Sequence, residues 1–87
     1  MIIGKVVGNV WATKKDETLN GLKLLVIQKK SQKNQEDTFV AADAVGAGFG
    51  DCVLIANGNA ARKALGKNHV AVDATVVGII DEVEVTS

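Results

Sequence analysis

The sequence predicts an all-β fold: a five-stranded OB-like Greek-key β-barrel with one short α-helix between strands 4 and 5. Three observations lead there. Hydrophobic residues make up 47% of the 87 positions, yet only Trp11, Phe39 and Phe49 are aromatic. The apolar mass is therefore Val, Ile, Leu and Ala, and its β-branched part suits a pleated, half-buried surface. Nine glycines and no proline supply corners without breaking the hydrogen-bond ladders. Finally, the extended runs number five, and only one stretch has helical character, which is the count expected of a small closed barrel.

The elements follow in order. Residues 2–13, IIGKVVGNVWAT, read as a long strand that bends or bulges at Gly4 and Gly8. KKDETLNG reads as a loop in which Asn20-Gly21 tolerates positive φ. LKLLVIQK, 22–29, is the second strand, and the polar run 30–37 is an exposed hairpin connection. TFVAADAV, 38–45, is the third strand, and DCVLIAN, 51–57, the fourth. AARKAL then forms a helix of under two turns, with Asn59 as its cap and Gly66 as its end. The last extended segment runs over 70–85, with a bend at Gly78.

Eighty-seven residues suffice for one small core, so a single domain over 1–87 is expected. Ten basic residues balance ten acidic ones, which leaves no global field to draw nucleic acid or anionic lipid. No apolar run approaches the ~18 residues of a membrane span, and MIIGKVVG is too interrupted for a signal peptide. A cytoplasmic protein without membrane contact is the expectation. Cys52 is the single cysteine; it has no partner for a disulfide or a metal cluster and reads as a small buried apolar residue.

Three strands lack the alternation of a half-solvated antiparallel sheet. In Leu24–Ile27, in Cys52–Ala56 and in Thr75–Ile80 both faces are apolar or small. One face lines the barrel, and roughly six helical residues are too few to cover the other. An exposed patch above a few hundred Å² is unusual for a monomer, so the pattern predicts a homo-oligomer.

The glycine-rich stretch 45–62 invites comparison with a phosphate cradle. Gly46-Ala47-Gly48-Phe49-Gly50 has the wrong glycine spacing, and no Lys-Ser/Thr follows. A strand follows it too, whereas phosphate loops depend on the positive end of a helix. A tight packed turn is the better reading. Gly58-Asn59-Ala60-Ala61-Arg62 does open a helix, but capping and an Arg62 ion pair explain it more simply. Asp43 and Asp73 sit in matching small-residue frames, where backbone hydrogen bonds are a better account than a catalytic dyad. His69 has no second ligand beside it. No catalytic, cofactor-binding or metal site is expected, and the chain does not read as an enzyme. Lys14-Lys15 and Lys29-Lys30 with Lys33 could gather at one barrel end, giving an OB-type nucleic-acid or small-ligand module as the alternative. With so few stacking platforms, solvated loop charges are preferred.

Residues 41–62, A-A-D-A-V-G-A-G-F-G-D-x-V-L-I-A-x-G-x-A-A-R, then V-D-A-T-V-V-G-I-I-D, resemble the EutN/CcmL family of bacterial microcompartment vertex proteins. G-K-V-x-G-x-V-x-A-T-x-K near the start and L-x-G-x-K-L-L-V-I match as well, so the resemblance spans Met1 to about Val83. The matching motif positions include Asp43, Gly46, Ala47, Gly48, Gly50, Gly58, Ala61, Arg62, Asp73, Gly78 and Asp81. Modest departures are Asn59 for Ser, Asp51 for Glu, and Cys52 for a larger apolar residue. The resemblance implies a homo-pentamer at the fivefold vertices of a polyhedral shell whose facets are hexameric shell proteins. Within that picture the Gly46–Gly50 loop, with Ala47, Gly48 and Phe49, is expected at the fivefold axis or a narrow pore. Asp43, Arg62 and Asp73 are expected at subunit interfaces or as structural polar groups, with Arg62 and Asp73 paired within or between subunits.

Overall fold

The computed structural model describes residues 1–13, 15–30, 37–67 and 69–86. Five strands and one helix appear in the expected order: β1 (Ile2–Val10), β2 (Leu24–Lys29), β3 (Thr38–Asp43), β4 (Cys52–Asn57), α1 (Gly58–Ala64) and β5 (Ala74–Ile79). The strands close as β1-β2-β3-β5-β4 and back to β1. Every neighbouring pair is antiparallel except β3 and β5, which run parallel. That single parallel closure makes this an OB-like barrel and not an up-and-down meander.

The barrel interior is built from one face of each strand. Val6, Leu25, Ile27, Val53, Ile55 and Val76 are fully buried together with Ala41, Ala47 and Ala74. Gly4 belongs to this interior: a Cβ there would collide with Ile27 Cγ2 and lie 3.0 Å from the Gln28 carbonyl oxygen. Both ladders run through Gly4 without a register slip; the residue is small so that Ile27 can reach the centre. The expected bulge is present at the other glycine, where the β1–β2 register slips between Val6 and Gly8.

A second cluster lies under the helix. Ala42, Ala61, Val70 and Val72 are buried there with Leu19, Leu22, Leu24 and Leu65 packed against them. The helix thus covers more than its length suggested, because residues 70–73 and a 3-10 turn over Glu17–Leu19 help it. That turn falls in the stretch read as a plain loop. It forms because the Asp16 carboxylate caps Thr18 through both its N–H and its hydroxyl, which also holds the Asp16 carboxyl below its ordinary value of 3.8. The Thr18 hydroxyl oxygen in turn accepts the Ala71 N–H at 2.9 Å. Thr75, the one fully buried polar residue among the described core, donates its hydroxyl to the Ala61 carbonyl at 2.9 Å, fixing α1 to β5.

Several boundaries differ from the sequence reading. β1 stops at Val10, β3 at Asp43 and β5 at Ile79; past β3 and β5 single bonds continue the ladders, from Ala44 N–H to Val76 O and from Ile80 N–H to Cys52 O. Gly78 lies within β5, close to the Leu54 side chain, and the β4–β5 register slips beside it, where Leu54 pairs with Gly78 but Ile55 with Val76, an irregularity of the kind that bends a strand. Asn59 is inside α1 and not its cap; the N-cap position belongs to Asn57, whose side chain makes no capping bond. The hairpin connection expected over 30–37 falls largely on residues 31–36, outside the described residues, as do Lys14 and Lys33.

Candidate functional site

The glycine loop joins β3 to β4, and two carboxylates from its flanks hold it. Asp43 accepts hydrogen bonds from the N–H groups of Val45 at 3.1 Å, Gly46 at 3.0 Å and Ala47 at 3.2 Å. Asp51 accepts from the Gly48 N–H at 2.8 Å, while its own N–H donates to the Gly48 carbonyl at 3.0 Å. Gly50 and Asp51 then close onto β1, with Gly50 N–H donating to Val6 O and Val6 N–H to Asp51 O, both at 2.9 Å. Lys23 reaches across from the start of β2 to give a 2.7 Å bond to the Ala47 carbonyl. Gly46 and Gly50 have φ of 83° and 90°, a region that favours glycine.

This wiring decides the phosphate question on chemical grounds. The N–H groups that would cradle an anion already donate to Asp43 and Asp51, so a second anion would meet carboxylates and not free donors. What the loop presents outward is apolar: the partly exposed Gly48, then Phe49 with 78% of its surface exposed. Ala47, by contrast, is fully buried in the barrel core. Its methyl group therefore lines neither an axis nor a pore, and the outward part of the loop reduces to Gly48, Phe49 and their glycine neighbours.

Arg62 on α1 donates to the Val72 carbonyl at 2.9 Å and to the Asn59 side-chain oxygen. The guanidinium thus ties the helix to the segment entering β5. Its bonds within the subunit go to the carbonyl before Asp73 and not to the Asp73 carboxylate. Asp73 contributes its own carbonyl to the Gly58 N–H at 2.9 Å, and its side chain faces solvent. Asp43 and Asp73 therefore serve different parts of the structure: Asp43 is committed to the loop, and Asp73 lies on the surface.

The outer wall of the barrel carries the apolar surface expected from the strands without alternation, though its distribution differs. Leu24 is covered within the chain by the helix cluster. Val26 faces Val40 across β2 and β3 and is only half-buried, while Val40 is 47% exposed. On the opposite side Ile3 pairs with Leu54, and these two line a groove with Met1 and Val83. Ile79 at the end of β5 is also exposed. Val40 and Met1 escaped the sequence reading, although the T-F-V-A-A order of β3 places Val40 opposite the inward Phe39 and Ala41.

Cys52 corrects another expectation. It stands opposite Lys5 on the outward face of β4, only partly buried, and accepts a 3.3 Å contact from the Lys30 ammonium. A cleft of 410 Å³ lies beside it, bordered by Lys5, Gln28, Lys29 and Lys30. His69 is exposed, and among the described residues no three His, Cys, Asp or Glu side chains gather as metal ligands. No described helix is long and apolar enough to cross a membrane.

A family model described as "Ethanolamine utilisation protein EutN/carboxysome" matches residues 1–81. The chain is 48% identical to the bacterial microcompartment shell vertex protein GrpN of Rhodospirillum rubrum over 97% of both chains. It is also 48% identical to the carboxysome shell vertex protein CcmL of a Synechocystis strain, over 100% of this chain and 89% of that protein. Among solved structures, the GrpN pentameric microcompartment shell protein of Rhodospirillum rubrum superposes with a TM-score of 0.86 at 43% identity, covering 99% of this chain and 100% of that one. Gloeobacter violaceus CcmL superposes with a TM-score of 0.88 at 42% identity, over 98% and 90% of the two chains. The family match and these likenesses run along almost the whole chain, and this chain belongs to the EutN/CcmL family of microcompartment shell vertex proteins.

Proposed function

We propose that this chain is a structural vertex protein: five copies form a ring that caps a fivefold corner of a bacterial microcompartment shell. It does no chemistry of its own. Its role is geometric, because a fivefold unit placed in a sheet of sixfold units removes a wedge and forces curvature, which closes the polyhedron. The facets it joins are hexameric shell proteins. The observation that carries the reading is the likeness, over nearly the whole chain, to a solved pentameric shell protein at 43% identity. The partly exposed apolar wall at Val26, Val40 and Ile79 gives that likeness a physical motive, since a neighbouring protomer is what would remove it from water.

Native mass spectrometry at micromolar concentration is the direct test. A pentamer is expected; a stable monomer under those conditions overturns the reading. Placement of the Gly46–Gly50 loop near the fivefold axis is tested by Gly48→Trp. Gly48 lacks a positive φ, and a Cβ there meets nothing within 4 Å of its own subunit. The variant therefore suits the isolated barrel, and lost or weakened rings would report crowding between subunits. Rings of unchanged stability would put the loop elsewhere.

A further inference from the structure

The seam between β3 and β5 is the least completed part of the barrel. Their parallel ladder engages only Ala42 with Thr75 and Asp43 with Val76. Among the described residues, Thr38 to Ala41 have no partner strand on that side. The parity of the hydrogen bonds shows which groups this leaves open. Lys29 N–H donates to Asp37 O, and Asp43 N–H donates to Lys23 O. Bonding pairs in an antiparallel ladder recur every second residue, so Phe39 and Ala41 also turn their polar groups toward β2. Thr38, Val40 and Ala42 turn theirs toward β5, as the bond from Ala44 N–H to Val76 O at 3.1 Å bears out.

Continuing the register would set Val40 against Asp73, with Val72 O as acceptor for its N–H. Those groups are committed elsewhere: Val72 O accepts from Arg62, and Asp73 O accepts from Gly58 N–H. The chain turns away there to pack under α1, and a cleft of 680 Å³ bordered by Phe39, Val40, Asn57, Asp73 and Ala74 opens beside the edge. An open edge with an exposed valine is a template for an added strand.

The same chain carries an extended segment without a ladder. Residues 82–86, Glu-Val-Glu-Val-Thr, alternate as a strand does, yet belong to no sheet. Val83 touches the groove of Met1, Ile3 and Leu54 on its own barrel, whereas Val85 is 86% exposed. The segment leaves β5 at the end remote from the open edge: Ile80 N–H is bonded to Cys52 O beside β4, whereas the edge faces the start of β5. Reaching the edge of its own β3 would require the tail to double back along the length of β5.

We propose that residues 82–86 of one copy add as a strand to the open Thr38–Val40 edge of β3 in the next copy. The occupant is a second copy because edge and tail are different surfaces of one chain. Such a contact is heterologous, and it closes into a ring when repeated by rotation. Val85 then packs beside Val40, and the N–H and C=O groups of Thr38 and Val40 gain partners. The inference rests on the pentamer reading and adds to it which elements meet.

Disulfide trapping separates the two. In a Cys52→Ser background, the pair Val40→Cys and Val85→Cys is oxidised and run without reductant. The expected result is a ladder of covalent species up to the pentamer, absent from either single variant, on material that native mass spectrometry finds pentameric. Pentamers that yield no ladder overturn the strand addition while leaving the ring intact. A cross-link confined within single chains overturns it in favour of a tail that folds back. Monomers in the unmodified protein overturn the ring reading and the inference together.

Discussion

At the scale of single residues, Gly4 shows how little slack a barrel of this size has. Its hydrogen occupies the space where any side chain would meet Ile27 and the Gln28 carbonyl. Ile27 is fully buried and the carbonyl belongs to the ladder, so neither can yield cheaply. Gly4→Ala is expected to cost about 1–3 kcal/mol through overpacking, read as a lower midpoint in urea with an unchanged slope. A neutral result would mean that β1 and β2 can separate locally. The sequence made the glycine visible but not its purpose. A bend and a clearance both call for Gly in a strand, and only the position of Ile27 distinguishes them. Cys52 was misjudged for a related reason: a small thiol among Val, Leu and Ile fits either face of β4, and register alone turns it outward beside Lys5.

At the scale of elements, the β3–β4 loop is held by acceptors more than by packing. Asp43 alone takes three backbone N–H groups, and leaving such donors without partners costs about 1–3 kcal/mol. Asp43→Ala is therefore expected to lower the thermal midpoint by some 4–8 °C for each kcal/mol lost in a domain of this size. Hydrogen exchange should rise at Val45, Gly46 and Ala47 ahead of the barrel strands. Uniform protection across the loop and the strands would contradict this. Much of the element pattern was legible: five strands, a helix after β4, and a glycine turn in place of a phosphate loop, although that turn is tied by hydrogen bonds and not close-packed as expected. The 3-10 turn at Glu17–Leu19 was not, because three residues carry no periodicity and its support comes from Ala71, far along the chain. The end of β5 was overextended because 81–85 alternate like a strand, and alternation records which side chains could share a face without supplying a neighbour to pair with.

At the scale of the whole molecule, the outer wall decides how the subunit behaves. The barrel satisfies its own interior, yet Val40, Ile79 and Phe49 stay exposed, and Val26 is covered only in part. If neighbours cover this surface, folding is linked to association, and thermal stability rises with protein concentration. Calorimetry over a hundredfold range in concentration is expected to show the midpoint climbing. Each tenfold step in free protomer is worth at most about 1.4 kcal/mol. A midpoint independent of concentration, with subunits shown to dissociate over that range, would mean the barrel draws no stability from its neighbours. The need for cover was legible in Leu24–Ile27 and Cys52–Ala56, whose faces are apolar on both sides. How that cover is shared was not, because the helix cluster shields Leu24 through contacts between segments distant in sequence.

The place of β1 in the barrel also has a consequence in time. β1 is first in the chain, yet Ile2 to Lys5 pair with β4, the fourth strand made. The first strand can find that neighbour only after most of the chain has left the ribosome, and the parallel seam of β3 with β5 must wait longer still. Topologies dominated by such distant pairings fold in milliseconds to seconds, slower than helical chains of similar size. A nascent subunit therefore passes through an interval in which β1 and β2 form a ribbon with Ile and Val side chains uncovered. Only a closed barrel presents the outer wall that a neighbour would cover, so association has to follow this late closure.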